Sequence, residues 1–203
     1  MAVDDRSGSL RLGLADHFGW AVAVTSSDVG HHVVDRRRIE LVEPGVPSAP
    51  FHQDSKRLDL AATAELVAEV RASIARATAA AFDALVAEVA DRGPIASVSL
   101  RAWPPDFPTD LEVLVRVPWE ARADGVMYRQ VVADVARDRG WDVDLYGAKD
   151  VVGQATARLG DRADDVLHGP RTRLGPPWAA DHRMALAATV MAAAVPADGQ
   201  VAG

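Results

Sequence analysis

Two Asp-His dipeptides stand near the ends of this 203-residue chain, Asp16-His17 and Asp181-His182. Carboxylates brought together from distant parts of a chain can hold hard divalent cations such as Mg²⁺ or Mn²⁺, which take oxygen ligands. Such ions generate an attacking hydroxide or stabilise a leaving oxygen when a phosphodiester is cut. Imidazole beside carboxylate also suits Zn²⁺, Mn²⁺ or Fe²⁺, so His17 and His182 enter the candidate ligand set with the two acids. Adjacent residues on one element seldom point the same way, which limits each pair to a single ligand. Each acid also has a structural alternative. Asp16 suits the first position of a hairpin turn, and Asp181 suits the N-cap of a helix.

A second group of residues suits phosphate and base contact. Gly169-Pro170-Arg171-Thr172-Arg173-Leu174-Gly175-Pro176-Pro177 reads as a rigid loop presenting Arg171 and Arg173, with Trp178 just beyond. Two guanidiniums and an indole on a stiff loop can grip a phosphate and stack a base. The structural alternative has Trp178 capping the core and the arginines paired with local acids such as Asp164 and Asp165. Arg36-Arg37-Arg38 forms a further strip, explained equally well as solvated charge that discourages edge pairing. Glycine-rich phosphate loops, nucleophile elbows and cysteine zinc motifs are absent.

Bulk properties narrow the field. The chain is 49% hydrophobic and 25% charged, as expected for one globular domain with a sizeable core. It has no cysteine, which excludes disulfides and thiolate metal sites and fits a reducing cytosol. The start, Ala2 to Arg6, is polar and acidic, unlike a secretory signal. The longest apolar run, Met184 to Val195, is too short to span a bilayer. A soluble, cytoplasmic, bacterial protein without a membrane partner is the expectation. A net charge of −7 argues against a generic nucleic-acid binder but leaves room for a local arginine strip.

The elements that must position these residues follow from periodicity and turn signals. Leu10–Ala15 and Trp20–Thr25 read as antiparallel strands around an Asp16-to-Gly19 turn, followed by a third strand from His31 to Val42. In that strand Val33, Ile39 and Leu41 share one face. Glu43 to Ser55, with three prolines, reads as a loop. A helix from Lys56 to Ala90 carries an apolar stripe through Val67, Val70, Ile74, Ala77, Ala81, Leu85 and Val89. Ile95–Ala102 is a fourth, central strand. Leu111–Val117 reads as a short extra strand or an extended insertion. Then come a helix at Ala123–Arg139, a fifth strand at Trp141–Tyr146, a helix at Lys149–Leu159 and a last helix at Ala179–Ala194. This order predicts an α/β fold: an antiparallel three-stranded meander extended by parallel strands, with helices on both faces. One domain spans 10–195, between flexible ends at 1–9 and 196–203.

The element order, Asp16 after strand 1, Gly19-Trp20 opening strand 2, Lys149-Asp150-Val151-Val152-Gly153 after strand 5 and Asp181 at the last helix together resemble the ribonuclease H-like superfamily. The closer likeness is to its Holliday-junction-resolvase branch. The resemblance implies a cluster of carboxylates holding two Mg²⁺ or Mn²⁺ ions, with Asp16 and Asp181 as catalytic ligands, His182 beside them, and Lys149 near the scissile phosphate. It also implies an acid at the end of strand 4. There the chain reads Ser99-Leu100-Arg101-Ala102-Trp103-Pro104-Pro105, with no carboxylate, so Arg101 brings positive charge to the metal position and becomes a phosphate-contact candidate with Arg171, Arg173 and Trp178. Three functions are compatible with this pattern. The domain is a catalytically degenerate binding or oligomerisation module, with a homodimer covering strand 3 or the long helix. Alternatively it is a Mg/Mn-dependent nuclease or phosphodiesterase, or an unrelated α/β protein that binds a small molecule.

Overall fold

Five strands form one mixed sheet in the order β3-β2-β1-β4-β5 in a computed structural model of the chain. The described residues are 8–192, so the expected flexible ends fall outside them except for Gly8 and Ser9. Ser9 is anchored: its Oγ donates to Asp28, and its carbonyl accepts from the Asp28 N–H. β1 (Leu10–Asp16) and β2 (Trp20–Ser27) pair antiparallel, as do β2 and β3 (Val33–Glu40). β4 (Ile95–Arg101) runs parallel to β1, and β5 (Asp142–Tyr146) parallel to β4. The expected sheet is therefore present, with β1 and β4 at its centre.

Period-two alternation along β1 divides the molecule into two layers. Leu10, Leu12 and Leu14 join the larger core against α1 (Leu60–Glu88) and α3 (Glu120–Arg137). Val98 and Leu100 of β4 face the same way. The opposite face is built from small or polar residues, Arg11, Gly13 and Ala15 on β1 and Ser97 and Ser99 on β4. Over it lies α7 (Ala180–Met191), whose Ala185 and Ala188 pack in the second core with α4 (Val151–Leu159) and α5 (Ala163–Leu167). The fit is close. A Cβ built on Gly13 would stand 1.9 Å from the Ala185 carbonyl oxygen, and Ser99 Oγ donates to the Ala188 carbonyl at 3.3 Å. Arg11, 4% exposed, donates through Nη1 to the carbonyls of Thr189 and Ala192 at the C-terminal end of α7, where the helix dipole favours a cation.

Several expected elements differ in detail. α1 starts at Leu60 rather than Lys56 because Asp59 caps it, accepting from the Ala62 N–H. Its buried face includes Thr63, Ser73, Thr78 and Phe82 as well as aliphatic residues. The stretch at 111–117 is no strand: Asp110 caps a helical turn, α2 (Leu111–Leu114), by accepting from Glu112 N–H. The loop expected at 169–177 begins with a short helix, α6 (Gly169–Leu174), since Pro170 sits in its first turn, where a missing N–H costs nothing. Val33 packs into the second core, away from Ile39 and Leu41, because an irregularity between Thr25 and Ser26 shifts the β2–β3 register.

The proline-rich loop also holds structure, a π-turn at Pro50–Asp54. Asp124 on α3 clamps it, accepting the backbone N–H groups of Phe51 and His52 at 3.0 and 3.2 Å. This carboxyl is fully buried, and desolvation pushes its pKa up to about 6 despite the two N–H donors.

Two outcomes follow from these contacts. Gly13→Ala should push α7 off β1 and lower unfolding stability in urea by at least about 3 kcal/mol; an unchanged midpoint would contradict the close fit. Asp124 binds its proton more tightly folded than unfolded, so its contribution to stability falls as pH rises from about 4 through about 6. The stability of wild type relative to Asp124→Asn should thus drop by roughly 3 kcal/mol between pH 4 and pH 7, and a pH-independent difference would show that Asp124 is not penalised by burial.

Candidate functional site: an arginine-bracketed aspartate at the sheet edge

The parallel strands β1, β4 and β5 end together at one edge of the sheet, and α7 begins there. This topology brings the first candidate pair to the second. His17 Nε2 and Asp181 Oδ2 lie 3.0 Å apart, 164 positions apart in sequence. The opening hairpin and the closing helix thus meet, through His17 and Asp181.

What surrounds Asp16 is a different matter. The side chain is 7% exposed, and its Oδ2 accepts from Arg129 Nε on α3 at 2.8 Å. Arg101 Nε at the end of β4 faces Oδ1 at 3.8 Å, too far for a hydrogen bond. Neither Asp16 Oδ1 nor Arg101 Nε has a hydrogen-bond partner among the described residues, though both atoms are buried. The strand parities explain the bracket. Asp16 points to the α1/α3 layer and meets Arg129, while Arg101 lies on the α7 face, with Nη2 3.9 Å from Met184 Sδ. Tyr146 at the end of β5 closes the floor, its hydroxyl donating to the Leu14 carbonyl at 2.7 Å; burial pushes its pKa well above the usual phenol value. Asp16, His17, Phe18, Arg101 and Arg129 line a small cleft of about 220 Å³.

A two-metal centre does not fit this donor set. No group of three His, Asp or Glu residues able to hold a cation exists among the described residues. Asp16 is engaged by one guanidinium and faced by another, and like charge repels a dication by several kcal/mol at such distances in a partly buried site. Asp181 is bonded to His17 rather than shared with Asp16. His182 is also unsuited as a ligand. It is buried at 8% exposure, its Nδ1 accepts the Ala179 N–H, and its ring packs against Trp178. Burial, followed by the Arg36 charge, lowers its pKa, because both disfavour the protonated ring.

The other candidates separate. Trp178 is 3% exposed and donates through Nε1 to the Leu167 carbonyl, so it is a core residue and offers no face to a base. Arg173 pairs with Asp165 at 2.7 Å. Arg171 is exposed, with no ion pair among the described residues, and Lys149 is exposed in the turn after β5. Within the arginine strip, Arg36 donates to the carbonyls of Leu174, Gly175 and Pro177, tying β3 to the segment before α7. Arg37 pairs with Asp35, and Arg38 with Glu40.

Two participants escaped the sequence reading. Arg129 was hidden in an amphipathic helix. It lies beside Gln130 between the buried stretches Ala123–Tyr128 and Val131–Ala133, with no sequence signal pointing to Asp16. Trp20 is the other. Its ring stacks on His17, with centroids 4.1 Å apart and planes within 10°, and the Arg38 guanidinium lies 4.1 Å from its centroid. The cleft therefore adjoins a stacked imidazole, indole and guanidinium.

Strand order and polarity define the class: an α/β domain built on a mixed five-stranded sheet with helices on both faces. No family model and no curated protein matches the chain. Among solved structures it is similar to T. thermophilus RuvC in complex with Holliday junction substrate, at 15% identity and a TM-score of 0.45, over 90% of both chains. It is also similar to a Thermus thermophilus RuvC structure, at 14% identity and a TM-score of 0.43, over 89% of this chain and 91% of that one.

Arg101→Glu tests what the bracket does to a cation. Supplying a carboxylate at the end of β4 should raise Mn²⁺ affinity at least about tenfold over wild type in calorimetric titration, since it removes a repulsive charge and adds a hard ligand. Equal affinities would mean that the cleft is no metal site even when given its third acid.

Proposed function

We propose that this ribonuclease H-like domain is a metal-independent binding module, catalytically silent, which takes a phosphate-bearing ligand at the sheet edge. The observation supporting this reading is the bracketing of Asp16 by Arg129 and Arg101. Where the fold family's cleavage chemistry asks for a cluster of carboxylates, the cleft has two guanidiniums around a single one. Arg129 neutralises Asp16 through a charge-assisted bond. Arg101 then leaves surplus positive charge in an open cleft, its own side chain partly exposed. An anion gains from that charge, whereas a dication is repelled.

The neighbouring aromatic group suits the rest of such a ligand. Trp20 and His17 are half-buried, Phe18 is 45% exposed, and Arg38 sits over the indole. Bases of single-stranded nucleic acid stack on such surfaces while arginines take the backbone. The overall charge of −7 limits the contact to this patch, so a short footprint of one or two phosphates is expected rather than an extended groove. Arg171, exposed and unpaired, is a candidate for a further backbone contact.

The test is anisotropy of a labelled single-stranded oligonucleotide in EDTA. Binding should persist without metal and weaken with salt at a log–log slope of about −1.4, as for two phosphates. It should fall at least about fivefold in Arg101→Ala and in Trp20→Ala. Binding that needs Mg²⁺, cleavage of the strand, or affinity indifferent to salt and to Arg101 would each reject the proposal.

A further inference from the structure

Away from the sheet edge, a groove of about 410 Å³ opens between α1 and α3 under the segment that carries α2. Its walls are mainly apolar: Val67 on α1, Phe107 and Leu111 on the covering segment, and Met127 on α3 all contribute. Three polar residues break this lining, Arg71, Thr109 and Gln130. Arg71 on α1 and Gln130 on α3 are both half-buried, and neither side chain has an ion pair or hydrogen bond among the described residues. Several other half-buried arginines have a carboxylate partner: Arg37 has Asp35, Arg129 has Asp16 and Arg139 has Asp83. A partly desolvated guanidinium at the edge of an apolar groove, with an amide opposite, is a set of donors without an acceptor.

We propose that this groove is a binding site for a small amphipathic acid, a compact apolar body carrying one carboxylate or sulfonate. The volume falls in the usual range for small-molecule sites, which favour clefts between helices with few polar groups. The apolar body replaces water against Val67, Leu111 and Met127, a transfer favoured at roughly 25 cal/mol per Å². The anion lies at Arg71, where a charge-assisted bond is stronger than in bulk water. Gln130 donates to the same head group. The groove and the Asp16 cleft lie on different elements except for α3, and this inference does not rest on the nucleic-acid reading.

The probe pair is 8-anilino-1-naphthalenesulfonate and its neutral counterpart N-phenyl-1-naphthylamine, titrated into the full chain by fluorescence. Both should bind at one site. Arg71→Gln should weaken the sulfonate about tenfold and the neutral probe less than twofold. Ala68→Trp, an exposed α1 position on the groove wall, should abolish both while the far-ultraviolet circular dichroism stays unchanged. Should that variant lose its helical signal, Ala64→Leu provides the milder obstruction and should weaken both probes at least threefold. Absence of binding overturns the proposal. So does binding that survives obstruction of the groove, and an equal response of the two probes to Arg71→Gln removes the acid from the ligand class.

Discussion

The approach of α7 to β1 governs the rest of the molecule. Gly13 leaves no room for even a methyl group beneath Ala185, and serines on β4 extend the same low surface. A helix rich in alanine can therefore lie almost on the sheet, and its two ends are held by different charges. Arg11 receives the C-terminal carbonyls, and Asp181 near the N-terminus meets His17. If α7 sat a few tenths of an ångström higher, the chain would lose both contacts, and the edge where β1, β4 and β5 end would lose its closing wall.

At that edge, electrostatics decides between two chemistries. The parallel pairing of β1 and β4 presents their ends side by side, so the residue types at positions 16 and 101 meet whatever they are. Two acids there would attract a dication. An acid and an arginine stand there instead, with a second arginine arriving from α3, an arrangement that disfavours a dication. Buried guanidinium and carboxylate are costly to desolvate unless they are paired and hydrogen-bonded. Here Arg129 meets that condition for Asp16 on one oxygen, while Oδ1 and Arg101 Nε keep unused hydrogen-bonding capacity. Such residual capacity costs about 1–3 kcal/mol per buried group. It marks the cleft as a place shaped by more than stability.

α3 couples the two regions singled out above. One side of the helix supplies Arg129 to the cleft, and Asp124 anchors its first turns to the π-turn at 50–54. Another side contributes Met127 and Gln130 to the groove facing α1. Adjacent residues on a helix diverge by about 100°, so Arg129 and Gln130 serve separate sites without interfering. The arrangement requires α3 to be held rigidly, and Asp124 provides this by satisfying two backbone N–H groups that a loop of prolines could not pair internally.

How much of this was legible in the chain depends on the range of the interaction concerned. Local signals are short-range and survive in sequence: alternation in β1 and β4, glycine and proline stops, and the order of elements together sufficed for the mixed sheet, whereas the approach of His17 to Asp181 was an expectation that rested on the resemblance. The lack of an acid after Leu100 was equally plain. Capping and turn chemistry was partly missed, as at Asp59, Asp110 and Pro170, since one side chain can serve a loop or a helix start equally well. Trp178 and Arg173 carry the residue types of a phosphate grip, yet a carbonyl of Leu167 and the carboxylate of Asp165 absorb them. Sequence alone therefore determined the topology and the charge at the end of β4. Only the tertiary structure decided that Arg129 reaches Asp16 across 113 positions, that His182 is buried against Trp178, and that Arg71 stays unmatched among the described residues beside an apolar groove, because each depends on side-chain packing that no local pattern encodes.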